Sequence, residues 1–105
     1  MPTLFDPYTL AGLPLRNRVV LAPMTRARSP EHVPTALNAT YYRQRAGAGL
    51  IVSEGVPVSR AAHGVLYVPG LYTDAQTAGW KQVTQAVHDE GGAIFAQLWH
   101  VGRAS

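Results

Sequence analysis

Cysteine is absent from these 105 residues. That excludes disulfides, thiolate metal sites and cysteine nucleophiles together, and it fits a cytoplasmic protein. Lysine occurs once, against eight arginines, and the arginines are spread along the chain without forming a stripe. A formal charge of +3 distributed in this way gives little support to nucleic-acid binding. Arginine's planar fork suits carboxylate or phosphate contacts. Long apolar runs are also missing, since none approaches the roughly 18 residues that a membrane span needs. The opening Met1-Pro2-Thr3-Leu4-Phe5-Asp6-Pro7 has neither the basic nor the apolar region of a signal peptide. Asn38-Ala39-Thr40 is therefore a glycosylation sequon in form only. Neither a nucleic acid nor a membrane is expected as a partner.

What is present points to a packed domain. Hydrophobic residues make up 47% of the chain, which argues against disorder. The run Arg18-Val19-Val20-Leu21-Ala22-Pro23-Met24-Thr25-Arg26 reads as a strand over 19–24, buried on both faces as in a helix-covered parallel sheet, and closed by Pro23. Before it, residues 4–18 suggest a β-hairpin turning at Gly12. Thr35 to Ala46 predicts a helix, with Leu37 paired to Tyr41 and Tyr42 to Ala46. A second buried strand follows over 50–55, then a loop over 56–72 long enough to suggest a functional segment. Thr73 and Gln76 have capping-box spacing, and Trp80, Val83 and Val87 share one helix face. Gly91-Gly92 closes that helix, and a third buried strand is expected over 93–99. The order is hairpin, then β-α-β-α-β. It predicts an α/β fold with a parallel sheet, and it does not separate a barrel from a doubly wound sheet. A sheet of three parallel strands has unprotected edges, so the chain reads as the opening part of something larger.

In parallel α/β folds ligands bind at the C-terminal strand edge. Thr25 falls just past the first strand, Glu54 and Gly55 end the second, and Gln97, Trp99 and His100 end the third. Gln97 and Trp99 are two apart and point the same way. A carboxamide beside an indole suits a planar heterocycle with an imide-like edge, and Gly55 lets a ring approach the backbone. A plainer reading stands beside each: Gln97 hydrogen-bonded inside a barrel, Trp99 in the core, Glu54 buried against an arginine. His63 and His100 have no metal-ligand spacing. Gly47-Ala48-Gly49 precedes a strand and is no dinucleotide fingerprint.

Several motifs occur together: Leu21-Ala22-Pro23-Met24-Thr25-Arg26, Tyr41-Tyr42-Arg43-Gln44-Arg45-Ala46, Ile51-Val52-Ser53-Glu54-Gly55, Pro69-Gly70-Leu71-Tyr72-Thr73, Gly79-Trp80-Lys81, and Ala96-Gln97-Leu98-Trp99-His100-Val101-Gly102-Arg103. In order and spacing they resemble the old yellow enzyme family of FMN-dependent ene-reductases, over essentially the whole chain. The resemblance implies the first three β/α units of a TIM (β/α)8 barrel, with the hairpin as its cap and residues 1–105 forming the N-terminal segment of one FMN-binding domain. It implies that Pro23, Met24, Thr25, Gly55 and Gln97 contact FMN, and that Trp99 and Tyr67 face the substrate. Val65 stands where many relatives carry a tyrosine. Thr25, where another branch has a nearby cysteine, favours the classical branch. The implied reaction uses NAD(P)H to reduce alkenes activated by a carbonyl, imide or nitro group. The substrate-polarising His/Asn pair, the tyrosine proton donor and the phosphate-holding groups belong to later strands, so no catalytic residue is expected in this segment. A related dienoyl reductase would need cysteine clusters further along. An alternative is a catalytically silent barrel fragment that needs a complementary chain or self-association.

Overall fold

A computed structural model describes residues 3–64 and 66–102. Val65 and Arg103, both part of the motifs above, lie outside the described residues. Strands β1 (Tyr8–Leu10) and β2 (Leu13–Leu15) pair antiparallel, with Tyr8 opposite Leu15. Ala11 and Gly12 turn the chain between them, both at positive φ, as a two-residue hairpin loop requires.

A second sheet is parallel, in the order β3 (Val20–Leu21), β4 (Leu50–Pro57), β5 (Ile94–Trp99). Helix α1 (Ala36–Gln44) joins β3 to β4, and α2 (Asp74–Asp89) joins β4 to β5. Each helix opens on a reciprocal capping box, Thr35 with Asn38 and Thr73 with Gln76. Both boxes satisfy backbone donors that the first turn would otherwise leave unpaired. Tyr42 and Ala46 from α1 and its C-terminal end, and Trp80, Val83 and Val87 from α2, pack on Ile51 and Val56 of β4.

The central strand is buried as expected, and the outer two are not. Val20 is 51% exposed, and Phe95 and Leu98 are 47% and 59% exposed. The helices cover β4, whereas β3 and β5 each have one neighbour and one bare edge. The first strand is also shorter than 19–24. The Asn17 side chain takes the Val19 N–H at 3.0 Å, and Pro23 has no N–H to continue the ladder. On α1 the expected Leu37–Tyr41 pairing does not enter the core. Leu37 faces out at 63% exposure, because the buried stripe runs through Asn38, Ala39 and Tyr42.

Strand β4 carries a bulge. Val52 faces Phe95, but the next aligned pair is Gly55 with Gln97. Three steps on β4 therefore match two on β5. The inserted residue reverses the alternation of side chains. Ile51 and Val56 are five apart, yet both face the helices.

The hairpin lies against the N-terminal end of this sheet. Tyr8, Leu10, Leu15 and Arg18 share a cavity of about 280 Å³ with Val20 and Leu50. At the same end the Arg16 guanidinium donates to the Glu90 carbonyl at 2.8 Å and also to the Ala46 carbonyl. One cation thus meets the negative ends of both helix dipoles.

Candidate functional site

Because β3, β4 and β5 are parallel, their C-terminal ends share one edge of the sheet. Pro23, Met24 and Thr25 follow β3 as an exposed segment. Gln97 and Trp99 lie on β5, two strand spacings (about 9–10 Å) across from β3. Between them, on β4, sits buried Gly55. Ile94 packs against the helix core, so strand alternation puts Phe95, Gln97 and Trp99 on the opposite face.

The structure brings three of the expected site residues together. Gln97 is the register partner of Gly55. The Trp99 indole lies flat over Gly55, where any Cβ would overlap its ring carbons. Glycine here admits a planar ring onto the backbone, and the ring admitted is the chain's own. The Trp99 indole Nε1 is buried and has no hydrogen-bond partner among the described residues. The other expected residues stand apart. Pro23, Met24 and Thr25 are on the far side of β4. Tyr67 is exposed at φ 60°, on the loop after β4. Its carbonyl takes the Ser29 N–H at 2.8 Å, which joins that loop to the segment after β3.

The bulge supplies a polar contact that strand periodicity does not reveal. The buried Ser53 hydroxyl accepts the Gln97 backbone N–H at 3.2 Å and donates to the Glu54 carbonyl at 2.8 Å.

Glu54 is turned the other way, into the helix side. Its hydrogen-bond partner is Tyr42, and of the arginines Arg26 acts on it electrostatically. The Tyr42 hydroxyl donates to Glu54 Oε2 at 2.8 Å and accepts the Glu54 backbone N–H at 2.9 Å. Oε1 is buried without a hydrogen bond. Burial raises the Glu54 pKa above the ordinary carboxylate value, while the Tyr42 hydroxyl and the nearby Arg26 amide and guanidinium pull it down. Burial also raises the Tyr42 hydroxyl, with the Glu54 charge adding to it, so the phenol stays protonated. Arg26 also stacks on Tyr41, 4.8 Å from the ring centre, and Arg45 stacks on the same ring at 3.9 Å.

A histidine cluster near the strand ends is not evident from sequence spacing. His32 and His63 lie 31 positions apart in the chain, and their ring centres are 4.0 Å apart with the planes tilted by 38°. His63 Nε2 meets the Tyr72 hydroxyl at 2.7 Å, while His32 Nδ1 meets the Val68 carbonyl at 3.0 Å. These residues border a cavity of about 390 Å³ with Glu31, Arg60 and Gln76. Among the described residues no three potential ligands gather as a metal site, and no helix is long and apolar enough to cross a membrane.

The parallel β/α order agrees with that of the solved structures to which this chain is similar. Residues 3–105 match the NADH:flavin oxidoreductase / NADH oxidase family, and the chain belongs to that family, as an N-terminal portion of the old yellow enzyme type. It is 53% identical over 103 residues to 12-oxophytodienoate reductase 7 of Oryza sativa subsp. japonica, covering 97% of this chain and 26% of that protein. It is 50% identical over 108 residues to a flavin oxidoreductase of Emericella nidulans, covering 97% of this chain and 28% of the relative. Among solved structures it superposes on morphinone reductase in complex with tetrahydroNAD with a TM-score of 0.97. The identity is 56%, over all of this chain and 29% of that one. The old yellow enzyme homologue from Zymomonas mobilis gives a TM-score of 0.94 at 52% identity, over 97% of this chain and 29% of its own. The chain thus spans between a quarter and three tenths of these relatives. FMN is the cofactor of the family and a nicotinamide its reductant.

Proposed function

We propose that this chain forms the first two β/α units and the third strand of a (β/α)8 barrel, capped by its hairpin, in a cytoplasmic enzyme. That enzyme uses NAD(P)H to reduce enones, maleimides and nitroalkenes. The observation that carries the reading is the strand edge itself. A hydroxyl (Thr25), a glycine with the Trp99 ring packed on its backbone (Gly55) and the exposed Gln97 follow one another across three adjacent parallel strands.

These residues fit FMN. The Gln97 carboxamide, with one donor and one acceptor group, matches the pyrimidine edge. The Thr25 hydroxyl would donate to the ring and favour electron density in it. Pro23 and Met24 would hold the ring through their backbone, and Gly55 would do so through its own. Trp99 and Tyr67 shape the side on which substrate enters. When bound, FMN supplies hydride transfer from the nicotinamide to the β-carbon of the activated alkene. The groups that polarise substrate and return the proton come from later strands, so this segment binds and orients.

The first test is the visible spectrum and NADPH-dependent reduction of 2-cyclohexenone, made on this chain alone and on a protein that joins it to the later strands of the barrel. The joined protein is expected to carry a flavin band and turn over. A colourless, inactive joined protein reconstituted with FMN overturns the reading. A second reading applies to the 105-residue chain by itself: a silent barrel fragment that pairs with a complementary chain or with its own copy. The bare apolar surfaces of Val20, Phe95 and Leu98 on the outer strands support it. It is expected to show no turnover, and measurable turnover by the pure chain overturns it.

A further inference from the structure

We infer that Ser53 is a positioning residue that aims Gln97, through the bulge in β4, at the flavin edge. The inference rests on the proposed role of Gln97. In a regular parallel ladder every second N–H of β5 would meet a carbonyl of β4. Here one residue too many lies between Val52 and Gly55, and the step is broken where Gln97 needs a partner. Ser53 bridges it. Its oxygen takes the Gln97 N–H at 3.2 Å, and its proton goes to the Glu54 carbonyl at 2.8 Å. A hydroxyl is one of the few side-chain groups that can accept and donate at one atom. Alanine, valine and glycine cannot do so. The position is fully buried, so water does not replace the contact.

The placement has a consequence for the whole edge. The bulge lets Val56 return to the helix core while Gly55 faces Trp99. If the inserted residue slides along β4, the pairing of Gly55 with Gln97 is lost, and the carboxamide is displaced relative to the ring surface. Ser53 pins the insertion to one place.

The test is a double-mutant cycle in the FMN-loaded protein that carries this chain, read as FMN affinity and flavin reduction potential. Ser53→Ala is expected to weaken FMN about tenfold, the size of one lost hydrogen bond, and to move the potential in the same direction as Gln97→Ala. Added to Gln97→Ala it is expected to change neither quantity further, and Ser53→Thr is expected to restore both. Additive effects mean that Ser53 acts elsewhere and overturn the inference. If Gln97→Ala leaves the flavin unchanged, the FMN role of Gln97 fails, and amide exchange decides the positioning claim. The Gln97 N–H is expected to be protected in the wild type and in Ser53→Thr. Rapid exchange in the wild type overturns the inference, and this readout stands even where Ser53→Ala does not fold.

Discussion

The Tyr42 hydroxyl binds Glu54 twice, donating to its carboxylate at 2.8 Å and accepting its backbone N–H at 2.9 Å. Both residues are essentially sealed from solvent. The contact joins the middle of α1 to the bulged part of β4. Tyr42→Phe keeps the ring in the core and removes both bonds, leaving a buried carboxyl and a buried amide unpaired. The expected loss is about 2–4 kcal/mol, read as a lower urea midpoint with an unchanged denaturant slope. A loss below about 0.5 kcal/mol would show that water or Arg26 replaces the phenol.

Glu54 also makes stability depend on pH. Its pKa is raised on folding, chiefly by burial, so the folded chain holds the proton more tightly than the unfolded one. Its stabilising contribution is full below the unfolded value of 4.5 and is lost as pH rises through the folded value. Glu54→Gln keeps an acceptor for Tyr42 and abolishes the titration. Across this window the variant is expected to lose the downward slope that the wild type shows. An identical slope in both proteins excludes Glu54 as its source.

His63 acts in the opposite direction. Burial, and then the charge of nearby His32, lower its pKa from 6.5. Glu31, Arg60 and Tyr72 border the same cavity. A histidine with a depressed folded pKa contributes stability that is present above 6.5 and lost as pH falls through the folded value. The loops after β3 and β4 are expected to loosen on acidification, seen as faster exchange of the Ser29 and Gly70 amides that tie them together. His32→Gln is expected to move the His63 titration, followed by NMR, back toward 6.5. Titration of wild-type His63 at or above 6.5 rules out this account.

How far the site could be read from the chain depends on the kind of signal. Periodicity and caps located α2 well, since Trp80, Val83 and Val87 do form one buried face and Thr73 caps with Gln76. The parallel order of the three strands was legible for the same reason. Position along a strand was less so. The run Leu50-Ile51-Val52-Ser53-Glu54-Gly55 is apolar enough to hide its own alternation, so the bulge and the role of Ser53 left no trace. Glu54 reads from sequence as an arginine's partner, and Arg26 does act on it, but the phenol that binds it lies 12 residues back on α1 and left no signal. Arg16 carried no pattern either, because its two carbonyl partners belong to different helix ends.

Arg16 therefore offers a separate test. Arg16→Ala removes charge-assisted bonds to the Ala46 and Glu90 carbonyls and is expected to cost about 1–2 kcal/mol. Arg16→Lys retains the charge but not the fork, and is expected to recover less than half of that loss. Full recovery by lysine would reduce the role to helix-dipole electrostatics alone.

Two glycines separate packing from site formation. A Cβ at Gly49 would run into the backbone carbonyl of Asn17. That segment is also held by the bonds from Gly49 N–H to Val19 and from Asn17 to Gly47, so nothing there yields easily. The nearest atoms to a Cβ at Gly55 belong to the Trp99 ring, a half-buried side chain at the end of an edge strand. Gly49→Ala is expected to cost about 2–3 kcal/mol, and Gly55→Ala about 1 kcal/mol or less as the indole swings aside. The Trp99 indole N–H resonance is expected to shift in Gly55→Ala. That of Trp80, bonded to the Gly70 carbonyl at 3.0 Å, stays in place. If Gly55→Ala proves as damaging as Gly49→Ala and the Trp99 signal does not move, the ring over Gly55 is core packing, and the flavin contact proposed for Gly55 fails.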